Sequence, residues 1–190
     1  MDQTDNIAEM GEKPELKGET IDKDITAQEV NLTHGGARDI RGLNVTLRQA
    51  GAHTINAENL TVRQGGAVKA EAEHLKMTQG GLIAAKTKTA DLKASLATLL
   101  VAEGPVRMDQ SGAQVLVAKG DVSMDQSGAV VLISRTVKAD HSGATFLIAR
   151  EVQGDIRTTF GPKESLIFGA TAGIVAGLTC FLFRLLGKTR

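Results

Sequence analysis

The dipeptide Gly-Ala returns in this chain at a nearly fixed spacing, and that period constrains the fold more than any other feature. It occurs at Gly36-Ala37, Gly51-Ala52, Gly66-Ala67, Gly112-Ala113, Gly128-Ala129 and Gly143-Ala144. Gly81-Leu82 and Leu96-Ala97 fill the gap in register. A fixed period of this kind means that each repeat is one small structural unit, completed by its neighbours.

Aligned on the dipeptide, the columns agree. The fifth position reads Ile25, Ile40, Ile55, Ala70, Ala85, Leu100, Leu116, Leu132 and Leu147, and the seventh is small in nearly every row. The tenth reads Val30, Val45, Leu60, Leu75, Ala90, Val106, Val122, Val137 and Val152, with a further mostly apolar column two residues on. Apolar residues in pairs two apart indicate strands with one face buried. Two such pairs, with Gly-Ala as a third small pair, give three short faces per turn. We therefore expect an all-β chain, a triangular β-solenoid of about nine turns between residues 21 and 156. An amphipathic helical repeat is the competing reading. Period two, β-branched columns and a glycine in every turn argue against it.

Composition fits a narrow interior. The chain has 190 residues, no Trp, no Tyr and 5 Phe, so small side chains must supply the core. The glycines at the corners are expected to take positive φ. Two repeats carry one extra residue, beside Gly104 and Gly120, as a corner bulge would. The column before the end of each repeat is rich in glutamine (Gln49, Gln64, Gln79, Gln110 and Gln126). It can be read either as a stacked amide ladder or as a polar corner facing water.

The residues flanking the fifth position should point outward. They are polar in the early turns, for example Asp24/Thr26 and Lys69/Glu71. In the later turns they are Leu99/Val101, Val115/Val117, Val131/Ile133 and Phe146/Ile148. Eight outward apolar side chains on four stacked rungs predict a self-association face. The alternative is cover by residues 1–20 or 156–164 of the same chain.

Beyond the repeat, the stretch from Ser165 to Phe183 carries no charge. A helix needs about 20 apolar residues to span a bilayer, and this stretch meets that length. We assign 157–164 as a juxtamembrane linker, 165–187 as a transmembrane helix and 188–190 as a basic tail. Ser165, Gly169, Gly173 and Gly177 fall at four-residue steps, a ridge on which helices can pack closely in lipid. Residues 1–20 are acidic and read as a flexible tail. They lack the basic and apolar regions of a signal peptide. We therefore expect a single-pass C-terminal anchor with the solenoid on the cytoplasmic side, although the three flanking bases Arg184, Lys188 and Arg190 leave the orientation open.

No enzymatic chemistry is legible. The four histidines (His34, His53, His74 and His141) are scattered, and Cys180 is the only cysteine. No zinc or phosphate-loop spacing occurs. Asp109, Asp125 and Asp140 could stack as a carboxylate ladder, but without the glycine-rich repeat of calcium-binding solenoids. We expect no catalytic residue, metal, cofactor or small-molecule substrate. Formal net charge is zero and the basic residues are not clustered with aromatics, so no nucleic-acid partner is expected either.

The Gly-punctuated rungs, and segments such as Val152-Gln153-Gly154-Asp155-Ile156, resemble those of bactofilins, bacterial cytoskeletal proteins. That resemblance covers about residues 21–156 and is architectural. It implies an uncapped triangular β-helix that polymerises end to end. The regular rung of fifteen or sixteen positions and the C-terminal apolar segment depart from the pattern. The Gln-Gly-Gly and Gln-Ser-Gly corners also resemble curli-type amyloid subunits, which are secreted. The longer turn of hexapeptide acyltransferases is absent. The expected function is a membrane-anchored structural protein that self-associates into a scaffold, coat or filament, its partners being itself and the bilayer. The alternative is a tethered binding module. Its basic face, within residues 36–95 around Arg38, Arg41, Arg48, Arg63 and Lys69, would dock an acidic partner or lipid head groups.

Overall fold

A computed structural model of the chain describes residues 15–20 and 24–160. They form an all-β parallel solenoid of about seven turns. The elements are β1 (Glu15–Thr20), β2 (Ile25–Thr26), β3 (Glu29–Lys93), β4 (Leu96–Ala102), β5 (Val106–Asp109), β6 (Gly112–Ala118), β7 (Asp121–Asp125) and β8 (Gly128–Phe160). Every pairing between them is parallel, and each rung pairs with its counterpart one repeat away. Leu100 lies against Leu116 and Leu116 against Leu132, while Val106 lies against Val122 and Val122 against Val137. The long elements β3 and β8 turn corners without leaving the ladder.

Three faces make each turn, and alternation within each sends two side chains inward. In the turn that starts at Ser111 these are Ser111 and Ala113 on the first face, Leu116 and Ala118 on the second, and Val122 and Met124 on the third, all buried. The two larger pairs are those read from the sequence. The small pair is not Gly-Ala itself. Gly112 points outward between Ser111 and Ala113, because a strand cannot turn two successive residues inward. An interior filled by Ala and Ser on one side and by Leu, Val and Met on the others is too narrow for rings. This is why the core does without aromatics.

The corners correct a second expectation. The left-handed conformation is carried by His34, Gln49, Gln64, Gln79, Ala94, Gln110, Gln126 and His141, with φ between 44° and 57°. Among the described glycines only Gly35 (φ 140°) and Gly154 (φ 95°) take positive φ, and at Gly65 and Gly80 the need is a different one, close approach between rungs. A Cβ on Gly65 would lie 2.0 Å from the Ala50 carbonyl oxygen, and one on Gly80 would lie 2.3 Å from that of Gly65. A long polar side chain tolerates the left-handed turn because it points into solvent, whereas the next residue is held close to the adjoining rung and is glycine, alanine or serine, with no room for a Cβ at Gly65 and Gly80.

These eight left-handed corners bound seven complete turns, fewer than the nine rows of the alignment. The rows at either end are part-turns, with Ile25 and Leu147 only partly buried and Val152 exposed. The ends also extend further than composition suggests. Glu15–Thr20, assigned to the acidic tail, pairs as β1 with Asn31–Gly36. Backbone pairing does not require apolar side chains. At the other end β8 runs to Phe160, into the expected linker. The two longer turns do place their extra residue at a corner, Glu103-Gly104 and Lys119-Gly120, where the strands break between β4 and β5 and between β6 and β7.

Alanine is the corner residue with nothing to offset its left-handed strain. Ala94→Gly should raise stability by about 0.5–1 kcal/mol, and Ala94→Val should lower it by about 1 kcal/mol or more. Equilibrium urea unfolding measures both. No gain from glycine would mean that the corner is unstrained.

Candidate interaction face

The ladder register places the eight predicted side chains in two straight columns on the outside of the second face. Leu99, Val115 and Val131 pair in sequence, as do Val101, Val117 and Ile133. Phe146 and Ile148 continue the two columns on the next rung. Exposure varies across the patch. Val101, Val115, Val117 and Val131 are half-buried by their stacked neighbours, while Leu99, Ile133, Phe146 and Ile148 are 39%, 36%, 46% and 63% exposed. The patch begins abruptly, since Leu99 pairs with Ala84 and Val101 with Lys86. Below it the same columns hold charge, and Lys69 and Glu71 form an ion pair at 3.1 Å.

The adjoining first face adds apolar surface that the column reading missed. There the outward positions are Gly81, Gly112, Gly128 and Gly143, interrupted by Leu96, which is 69% exposed. With Ile83 and Val130 they line a shallow groove of about 710 Å³. A strand face without side chains lets another surface come close to the backbone. The outward Gly column was visible in the repeat. It was misread as core because its partner Ala is buried.

Two hydrogen-bonded ladders hold the rungs in register, one on each half of the rod. In the early turns Gln49 donates its amide to Gln64 at 3.1 Å, and Gln64 to Gln79 at 3.2 Å. The amide ladder thus exists, and it ends where Ala94 replaces the glutamine. From there a buried serine ladder takes over one residue later in the rung. The backbone N–H of Ser95, Ser111 and Ser127 donates to the hydroxyl of Ser111, Ser127 and Ser142 respectively, at 3.1–3.2 Å. Each of the four hydroxyls donates in turn to the carbonyl two residues before it. In the early turns this position is Gly35, Ala50, Gly65 and Gly80. The serine ladder and the apolar face therefore occupy the same turns.

The remaining candidates do not converge. The four histidines are exposed, and His74 and His141 only contact the neighbouring Thr89 and Asp140. Asp109, Asp125 and Asp140 do stack in register. Among the described residues no three His, Cys, Asp or Glu side chains are grouped as metal ligands. No helix among them is long and apolar enough to cross a membrane. Ser165, Gly169, Gly173 and Gly177, with the whole segment 165–187, lie outside the described residues. The basic residues Arg41, Arg48, Arg63 and Lys69 are exposed on the early rungs. No family model, curated protein or solved structure matches the chain.

One rung-to-rung ion pair is electrostatically visible. The Lys88 ammonium, hydrogen-bonded to Glu73, holds that carboxyl below its ordinary 4.5, and Glu73 raises Lys88 above its ordinary 10.5. Glu73 binds its proton less readily when folded. Its stabilisation is therefore complete above about pH 4.5 and is lost as pH falls through the depressed folded value. The stability gap between wild type and Glu73→Gln should be present at pH 6 and close below pH 4. A gap independent of pH would exclude the pair as its cause. Ser111→Ala removes the acceptor of the buried Ser95 N–H and should cost about 1–3 kcal/mol in denaturant unfolding. An unfolding midpoint equal to that of wild type would show that the serine ladder does not hold the rungs.

Proposed function

We propose that this chain is a structural protein, a β-solenoid rod that self-associates through the outer apolar face of its later turns while residues 165–187 anchor it in a membrane. One observation carries the reading. Two columns of outward Leu, Val, Ile and Phe stack in register over four successive rungs and stay partly or fully accessible, whereas the preceding rungs hold Ala84 and otherwise polar or charged residues in the same columns. Monomeric proteins rarely expose a contiguous apolar patch of this kind unless it binds something. The patch is flat, as suits the side of a second rod, and the glycine-lined groove beside it extends the surface around one corner of the prism.

The uncharged segment Ser165–Phe183 follows the solenoid in the chain, so the patch-bearing turns are those nearest the proposed anchor. Rods tethered in one plane meet one another at a higher effective concentration than free rods do. A weak lateral contact then suffices to build a scaffold or coat. The architectural resemblance to bactofilins agrees with an assembling role, in which the solenoid contributes rigidity and repeated surface instead of catalysis.

The pair Val117→Lys and Ile133→Lys puts two cations at the centre of the patch, where side chains already point outward. The full chain carrying both should shift from an oligomer to a single-chain mass in detergent, by light scattering or analytical ultracentrifugation. Its β-type circular dichroism should be unchanged. An unchanged oligomer would sink the proposal.

A further inference from the structure

The residue just before each left-handed corner forms a second outward column, on a different side of the rod from the apolar face. In rung order it reads Thr33, Arg48, Arg63, Thr78, Lys93, Asp109, Asp125 and Asp140, and Asp155 continues it one rung beyond the last left-handed corner. Backbone pairing places Lys93 on Asp109, Asp109 on Asp125 and Asp125 on Asp140. The amides that follow Arg48, Arg63 and Thr78 are hydrogen-bonded to one another, which places the first half. Gly154 sits against Ala139, which carries Asp155 onto Asp140. Thr33, Thr78 and Asp109 are partly exposed, and the other six are exposed.

This arrangement is unfavourable within one molecule. Four carboxylates stand in register about 4.8 Å apart, and two guanidiniums do the same at the other end. Asp140 meets the His141 ring at 2.8 Å. Arg48, Arg63, Asp109 and Asp125 have no ion-pair partner among the described residues. Alternating charge along the column would have relieved the repulsion. Segregating it leaves a strip about 34 Å long that is basic over one half and acidic over the other.

From Arg48 to Asp155 the strip is basic up to Lys93, with Thr78 uncharged, and acidic from Asp109 onward, so this stretch is complementary to itself when reversed about the step from Lys93 to Asp109. We propose that a second copy of this chain docks along it antiparallel, related by a two-fold axis at that step. Arg48 then faces Asp155 of the second copy and Arg63 faces Asp140. Thr78 faces Asp125, and Lys93 faces Asp109. The pairing is isologous and closes at two copies. Parallel rods in full overlap would set like charge against like. The proposal rests on the reading that the chain self-associates, and it adds an orientation. The charged strip pairs rods antiparallel, so that paired rods lie along the membrane with their anchors at opposite ends, and the apolar face on another side joins pairs into larger arrays.

The test uses the full chain in mild detergent and two variants. One is acidic throughout (Arg48→Asp, Arg63→Asp and Lys93→Asp) and the other basic throughout (Asp109→Lys, Asp125→Lys, Asp140→Lys and Asp155→Lys). Each alone should self-associate about tenfold or more weakly than wild type, and a 1:1 mixture should recover association that high salt removes. Recovery on mixing cannot come from unfolded chains. Asp109→Asn, Asp125→Asn and Asp140→Asn together provide a gentler version, which should weaken wild-type pairing. In a Cys180→Ser background, Arg48→Cys chains should cross-link to Asp155→Cys chains and not to Asp109→Cys chains. Variants that associate as wild type does would overturn the strip. If the Val117→Lys and Ile133→Lys chain dissociates in the same assay, self-association through the apolar face still stands. Cross-linking of position 48 to position 109 would replace the antiparallel pair by a staggered parallel one and overturn the proposal. A wild-type chain that stays monomeric would overturn both.

Discussion

Everything in this rod follows from one backbone constraint, the in-register parallel ladder that bonds each rung to its counterpart one repeat away. Once the ladder is set, each side chain lies between its counterparts in the neighbouring rungs, about 4.8 Å above and below. The columns are then selected by what tolerates stacking. Aliphatic residues, amides and hydroxyls gain from it, and like charges lose. A uniform column of Leu or Ser needs no further account, whereas stacked carboxylates and guanidiniums stand out.

The corners show how the chain meets that constraint twice. A left-handed residue turns the strand, and the following residue must fit between rungs that nearly touch. The early turns solve this with Gln followed by Gly or Ala, and place the stabilising hydrogen bonds outside as an amide ladder. The later turns use Ser in the second position and move the hydrogen bonds inside. The exchange occurs at Ala94-Ser95, just before the outer columns turn apolar at Leu99. A buried hydroxyl ladder holds the later rungs together without drawing on their outer surface. That surface is left free to be apolar.

On the proposed reading the rod has a division of labour along its length. The early turns are a solvated spacer with mixed charge, and the later turns carry a contact face close to the membrane segment. On that reading the stacked apolar columns and the shallow groove beside them, lined by Ile83, Leu96 and Val130 with the outward glycines, suit broad contact with a second surface. Flat contact between copies is what a coat or scaffold requires.

Much of this was legible in the chain itself. The period, the strand character, the inward positions of Leu116 and Val122 and the outward positions of Val117 and Ile133 all follow from spacing, because alternation decides which way a strand residue points. The column of charges was equally present there once the rungs were aligned. Three things were decided only by the folded ladder. Gln64 and its equivalents take the left-handed corner, and Gly65 takes the close approach, because only stacked rungs reveal which residue lacks room for a Cβ. Gly112 points out and Ser111 points in, because the bend into the next face shifts the alternation that the Gly-Ala dipeptide suggests. The rod closes about seven turns and not nine, because a row of sequence becomes a turn only where rungs on both sides complete its burial.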